Sequence, residues 1–245
     1  MKNRVLSDSD VKQFSDIINN MYKVLPEMMK RKIPGSEVQA AFAIDYLINR
    51  HKDKKILCVG SYEDVACAYL KVKGIKMIEI DPVINSDLHT FKESTKKKFD
   101  IIFSVSVIEH VEDDEQFIKD ICQLMNVGGI GLLTMDFLDN QPVIKYTDLV
   151  NQFLTAEGVK NGIRMGREKR MELRRLQDQM KQYPSNTKPK EDCRLYTVED
   201  YKRLSKVMKE YDCFMVDEIS ADVEPYFEHD GCKYSFSTMV FRKLR

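Results

Sequence analysis

Phe99-Asp100-Ile101-Ile102-Phe103-Ser104-Val105-Ser106-Val107-Ile108-Glu109-His110-Val111-Glu112-Asp113-Asp114 is a run of apolar residues that passes directly into polar ones. Its apolar start, followed by serines alternating with valines, suits a parallel strand covered on both faces. In open α/β sheets the ligand lies beyond the carboxyl ends of the strands, which places Ser104, Val105, Ser106, Glu109 and His110 where chemistry is usually done. Taken alone, the stretch is equally a buried strand with a polar end. The flanking segments decide between the two.

Upstream, a strand predicted over 55–60 ends in Gly60 and the polar turn Ser61-Tyr62-Glu63-Asp64. A glycine there lets a nucleotide approach the backbone, and the helix start that follows offers free amides. Glu63 and Asp64 would repel a phosphate, so a ligand that is neutral or positive at this point fits better. A second strand, predicted over 76–81, ends in Asp81, placed to accept hydrogen bonds from ribose hydroxyls, with Glu79 as the competing acid. Downstream come a helix over 115–125 and a strand over 130–136. Strands alternating with helices imply an α/β, Rossmann-like, doubly wound and mostly parallel sheet with right-handed crossovers. The stretch between Asp81 and Asp87 is too short for a full crossover helix, so either that helix is missing or 87–91 forms only a token strand.

Residues 1–50 carry helical spacing and form an N-terminal helical cap, and 51–137 form the cofactor-binding core. Residues 138–192 form a helical insertion that contains an amphipathic basic helix over 167–181, either a solvated helix or a lid whose arginines grip an anionic acceptor. In 193–245, a helix capped by Thr197 leads to strands over 214–220 and 234–243, joined through the turn Asp230-Gly231, with the last strand antiparallel.

Lysine plus arginine balances aspartate plus glutamate at 39 each in the 245 residues, so no overall field draws the chain to nucleic acid or to a membrane surface. Binding of polyanions must then rest on a local patch. The six cysteines lack zinc-type spacing and read as reduced thiols. The first residues of this sequence lack the apolar core of a signal peptide and no run approaches membrane-spanning length, so a cytoplasmic location is expected.

The order of these features resembles the class I S-adenosylmethionine-dependent methyltransferases over roughly 54–137. Residues 56–60 are similar to their first motif, Asp81 to the ribose-binding acid, Asp87-Leu88 to the pair beside the adenine, and 99–111 to the fourth-strand motif. Asn126-Val127-Gly128-Gly129 resembles the turn that precedes their fifth strand. The resemblance implies S-adenosyl-L-methionine as cofactor, held by Gly60, Ser61, Tyr62, Asp81, Asp87, Leu88, Ser104, Val105 and Ser106. It further implies a small-molecule acceptor, a sugar or related metabolite; a phosphate or nucleotide link on it is what the basic helix over 167–181, read as a lid, would grip. For an acceptor hydroxyl, His110 is the expected base, with Glu109 orienting it or adding a carboxylate and Asp136 as the next candidate; an imidazole's ordinary pKa of ~6.5 suits the task. Ser106 stands where some relatives place a further glutamate, so no metal site is expected. The first motif departs from the family, with Cys58 in place of an acid and Tyr62 and Asp64 in place of glycines. One rival reading is therefore a non-catalytic binding or scaffold protein with a degenerate cofactor loop. Another, a nicotinamide-dependent enzyme, is disfavoured because the turn lacks the glycines that admit a pyrophosphate.

Overall fold

A computed structural model describes residues 2–138, 194–221, 227–229 and 232–245. The predicted insertion, apart from Leu138, and the turn at Asp230-Gly231 lie outside the described residues. The chain begins with β1 (Val5–Leu6), α1 (Asp8–Gln13), α2 (Ser15–Val24), α3 (Pro26–Met29) and α4 (Glu37–Ile48). Strands and helices then alternate as β2 (Ile56–Val59), α5 (Val65–Val72), β3 (Ile78–Ile80), α6 (Leu88–Ser94), β4 (Phe99–Val105), α7 (Asp114–Leu124) and β5 (Met125–Phe137). The C-terminal part adds α8 (Val198–Lys209), β6 (Cys213–Met215), β7 (Phe227–His229) and β8 (Cys232–Lys243).

The sheet runs β1-β8-β5-β4-β2-β3. β3, β2, β4 and β5 are mutually parallel, and β8 lies antiparallel to β5. The expected fold class is therefore the observed one. Alternate residues of each parallel strand feed two cores, as the period of two requires. Ile56, Cys58, Ile101 and Phe103 pack with Phe42, Ile44 and Leu47 of α4, while Leu57, Val59 and Ile102 pack with α7 and α8 through Ile118, Ile121 and Leu204.

Several elements differ from expectation: β5 takes in 126–129, expected as the turn before it, the strand expected over 214–220 is reduced to β6, and β7 is a strand the sequence does not announce. The crossover helix after β3 is present as α6, capped by Asp87, whose carboxylate accepts from Thr90 N (2.9 Å) and Oγ1 (2.7 Å). Its seven residues bury Leu88 and half-bury Phe91, which is too short a stripe to give a helical period. The N-terminal segment also contributes β1, whose Val5 and Leu6 pair with Ser237 and Phe236 of β8. A two-residue strand has no periodicity to detect; its partner fixes it.

Thr197 caps α8 with Asp200 in a reciprocal capping box, as the spacing predicts. Cys58, Cys67, Cys122 and Cys213 are buried free thiols. Among the described residues no helix is long and apolar enough to cross a membrane.

Candidate active site

The carboxyl ends of β2, β3 and β4 open onto a cavity of about 790 Å3. Its floor is set by Gly60, which leaves β2 at φ +78° and lies against Val107, just past β4. A Cβ at Gly60 would stand 2.3 Å from Val107 Cγ2, so the site needs glycine both for its backbone angle and for its lack of a side chain. The amides of Gly60 and Ser61 donate to the Ile80 carbonyl (2.9 and 3.2 Å), locking the turn to the end of β3.

Asp81 follows directly. One carboxylate oxygen accepts from Tyr62 N (3.2 Å) and the other from Val83 N (2.8 Å), so Asp81 ties the two cofactor-side loops together. A carboxylate offers about four lone-pair sites, so both oxygens retain capacity for ligand hydroxyls. Glu79, the competing acid, is instead ion-paired with Lys71 (2.9 Å) and is not among the residues that line the cavity.

Seven of the nine predicted cofactor residues line the cavity: Gly60, Tyr62, Asp81, Asp87, Leu88, Val105 and Ser106. Ser61 and Ser104 do not. Both are buried, with Ser104 Oγ donating to the Val59 carbonyl (3.0 Å) and Ser61 Oγ to that of Ile80 (3.4 Å). Their hydroxyls satisfy strand ends and do not face a ligand.

The adjacent Glu109 and His110 are separated by the 3-10 turn Ile108–His110, whose three residues per turn point neighbouring side chains about 120° apart. His110 is exposed on the cavity wall, whereas Glu109 is 3% exposed. Burial, reinforced by the charge of Asp136, pushes the Glu109 carboxyl well above the usual carboxylate range; backbone amides and Ser106 oppose this only in part. Its Oε2 lacks a hydrogen-bond partner. Burial thus favours the protonated form of Glu109, and its side chain is not among those that line the cavity. Asp136, half-buried at the end of β5, faces Glu109 and is not among the lining residues.

Two contributors were not assigned from sequence, and a third was one of two acids between which the sequence left the choice open. Gln39 Nε2 of α4 donates to Ser106 Oγ (2.7 Å) and holds a residue whose φ is +53°. His89 lines the far wall, bonded to the buried Asp120 (2.9 Å). Asp64, which together with Glu63 points in the sequence to a neutral or positive ligand, caps α5 through Cys67 N and lines the cavity. Glu63 turns outward to pair with Arg31 (3.1 Å). Gln39 lies far in sequence from these motifs, and His89, though it follows Asp87-Leu88 directly, carries no period or spacing that marks it.

A family model described as a methyltransferase domain matches residues 31–212. The chain belongs to this methyltransferase family. Solved structures of similar fold include the 1,6-didemethyltoxoflavin-N1-methyltransferase of Burkholderia thailandensis with bound 1,6-didemethyltoxoflavin and S-adenosylhomocysteine (10% identity, 98% of this chain and 92% of that one, TM-score 0.49). Others are an S-adenosylmethionine-dependent methyltransferase of Clostridium acetobutylicum (11%, 93% and 98%, TM-score 0.42) and TehB of Haemophilus influenzae (12%, 83% and 62%, TM-score 0.44). No curated protein matches the chain.

The cofactor of this methyltransferase is S-adenosylmethionine. The cavity fits it on its own chemistry. Asp81 supplies acceptors for ribose hydroxyls, Leu88 and Ile80 supply apolar contact for a base, and Asp64 supplies a buried carboxylate that a cationic amino group would stabilise. Burial raises the Asp64 carboxyl from 3.8 to about 6, against the capping amides and Lys32, which lower it. A carboxyl raised on folding contributes stability that is complete below its unfolded pKa and lost as pH rises through the folded value. At about 1.36 kcal/mol per unit, the ionised form costs the empty protein about 3 kcal/mol near neutrality. Asp64→Asn keeps a capping side chain and is expected to stabilise the cofactor-free methyltransferase by about 1–3 kcal/mol at pH 7.5, with the gain vanishing below about pH 4. Chemical denaturation at the two pH values checks it; an equal effect at both would show that ionisation of Asp64 is not the cause.

Proposed function

We propose that this methyltransferase methylates a hydroxyl of a small acceptor, a sugar or related metabolite, free or carrying a phosphate or nucleotide, with His110 as the base. The carrying observation is that His110 projects from the turn after β4 onto the wall of the cofactor cavity, while Glu109 beside it is buried and does not line it. When bound, S-adenosylmethionine supplies an electrophilic methyl group. Gly60, Tyr62, Asp81, Asp87, Leu88, Val105 and Ser106 hold the nucleoside portion, and Asp64 meets the cationic amino group. His110 takes the hydroxyl proton as the acceptor oxygen gains its methyl, so the enzyme's work is alignment plus one proton transfer. A cavity of 790 Å3 lies in the size range of small-molecule sites.

The test is release of S-adenosylhomocysteine across a panel of free, phosphorylated and nucleotide-linked sugars. With an accepted sugar, His110→Ala is expected to lower turnover by about 10²–10⁴ while S-adenosylhomocysteine affinity, read by calorimetry, stays within about two-fold. Turnover on amines with none on hydroxyls would overturn the O-methyl assignment, and unchanged turnover in His110→Ala would return the residue to a structural role.

A further inference from the structure

At the opposite end of the sheet the chain enters β2, β3 and β4, because parallel strands linked by crossovers must all be re-entered from the same end. Each approach carries lysine: Lys54 and Lys55 before β2, Lys76 before β3, and Lys97 and Lys98 before β4. Three runs far apart in sequence become one surface. These five lysines line a cavity of about 390 Å3 whose remaining wall is apolar, formed by Ile56, Met77, Ile78 and Phe99. No acidic residue lines it, in a chain whose net charge is zero.

Among the described residues, Lys54, Lys55, Lys76 and Lys97 have no carboxylate within ion-pair distance, and Lys98 Nζ bonds only the Gln123 carbonyl. The margin holds Asp100, whose carboxylate is occupied by Lys55 N (2.8 Å) and Asn126 Nδ2 (2.9 Å). The ammonium groups of Lys54 and Lys55 help to keep that carboxyl ionised, against the burial that would raise it. Exposed lysines serve solubility on many surfaces. Here they surround an apolar concavity, with Asp100 at the margin as the carboxylate that offsets part of their charge.

We propose that this cavity binds an organic polyphosphate of the nucleoside di- or triphosphate class, the lysines on the phosphates and the planar base on Met77 and Ile78. Lysine is a point-charge phosphate binder, and an apolar floor adds what inorganic phosphate cannot use. The site lies at the amino ends of strands whose carboxyl ends carry Gly60 and Asp81, so it is separate from the methyl-transfer cavity.

The experiment is calorimetric titration of ATP at low ionic strength into protein saturated with S-adenosylhomocysteine, which blocks the other nucleoside site. Saturable binding is expected, weakened by raised salt and by at least about ten-fold in Lys54→Glu/Lys97→Glu. S-adenosylhomocysteine affinity and the melting temperature should stay unchanged in that variant. Should it fold poorly, Lys54→Ala/Lys97→Ala is expected to show a smaller loss in the same direction. Inorganic tripolyphosphate should bind more weakly than ATP. Absence of saturable ATP binding, equal binding by the charge-reversed protein, or equal affinity for tripolyphosphate would overturn the proposal. So would an RNA oligonucleotide that binds more tightly than ATP through the same lysines. Wild type and variant are compared in ATP binding whether or not S-adenosylhomocysteine binds, so a failure of the cofactor site is read separately.

Discussion

Gly60→Ala is expected to abolish S-adenosylhomocysteine binding and to destabilise the fold by about 2–5 kcal/mol. The first part of that cost is the left-handed backbone angle of +78°, which an L side chain adopts at about 1–2 kcal/mol. The second is the 2.3 Å approach of the new Cβ to Val107 Cγ2, an overpacking of about 1–3 kcal/mol. Val107 is β-branched and stiff at χ1, so relief requires the turn after β4 to shift, and that turn carries Ser106 and His110. The two costs separate experimentally. Gly60→Ala/Val107→Ala is expected to recover the steric part in denaturant unfolding and retain the backbone part, a coupling of about 1–3 kcal/mol between the sites. Calorimetry on the single variant checks the ligand; binding with wild-type affinity would mean that the turn at Gly60 is not the cofactor floor.

The second large effect is expected at Asp114, which a first-turn position alone would mark only as a favourable charge at the start of α7. Its buried carboxylate accepts from Arg203 Nη1 (3.0 Å) and Nη2 (2.7 Å) and from Tyr196 Oη (3.1 Å), and it is also ion-paired with Arg194. Burial alone would raise this carboxyl; Arg203 and Arg194 outweigh it and hold the group below the usual range. Asp114→Ala leaves two arginines short of their central partner. The expected loss is about 3 kcal/mol, the lower end for a broken buried pair, because Arg203 keeps Glu115 (3.0 Å) and Asp200 (3.1 Å).

A carboxyl lowered on folding contributes stability above its unfolded pKa and loses it as pH falls through the folded one. The gap between wild type and Asp114→Ala should therefore be widest near neutrality and narrow below about pH 4. Tyr196 Oη donates to the Ile108 carbonyl (3.2 Å), and Arg194 N donates to that of Glu109 (2.9 Å). The same variant should thus accelerate amide exchange at His110, whose N–H is bonded to the Val107 carbonyl (2.9 Å). An unchanged exchange rate would confine Asp114 to global stability and free the His110 turn from it.

Much of the cofactor side is local chemistry and was legible. A strand that ends in glycine and a strand that ends in aspartate announce themselves by residue type, and Gly60 and Asp81 stand where the sequence places them. The short helix α6 escaped because seven residues with one buried leucine give no period, and β1 because its two residues are ordered by β8. Asp64 was legible as one of two acids that favour a positive ligand; that it, and not Glu63, is buried, lines the cavity, caps α5 and has its carboxyl raised to about 6 follows from packing.

The sequence by itself determined the alternation of strands and helices, and with it a parallel sheet whose carboxyl ends carry Gly60, Asp81 and the Ser106 to His110 segment. Apolar period and residue type act over a few neighbours, and one chain displays them completely. Only the tertiary structure decided which way each polar side chain points. The 3-10 turn sends Glu109 inward, where burial and Asp136 raise its carboxyl, and His110 outward to the cavity. Chain re-entry gathers five lysines from three loops into one surface, although the overall charge balances to zero. Desolvation and the field of distant charges depend on what packs nearby, and that proximity is a property of the fold.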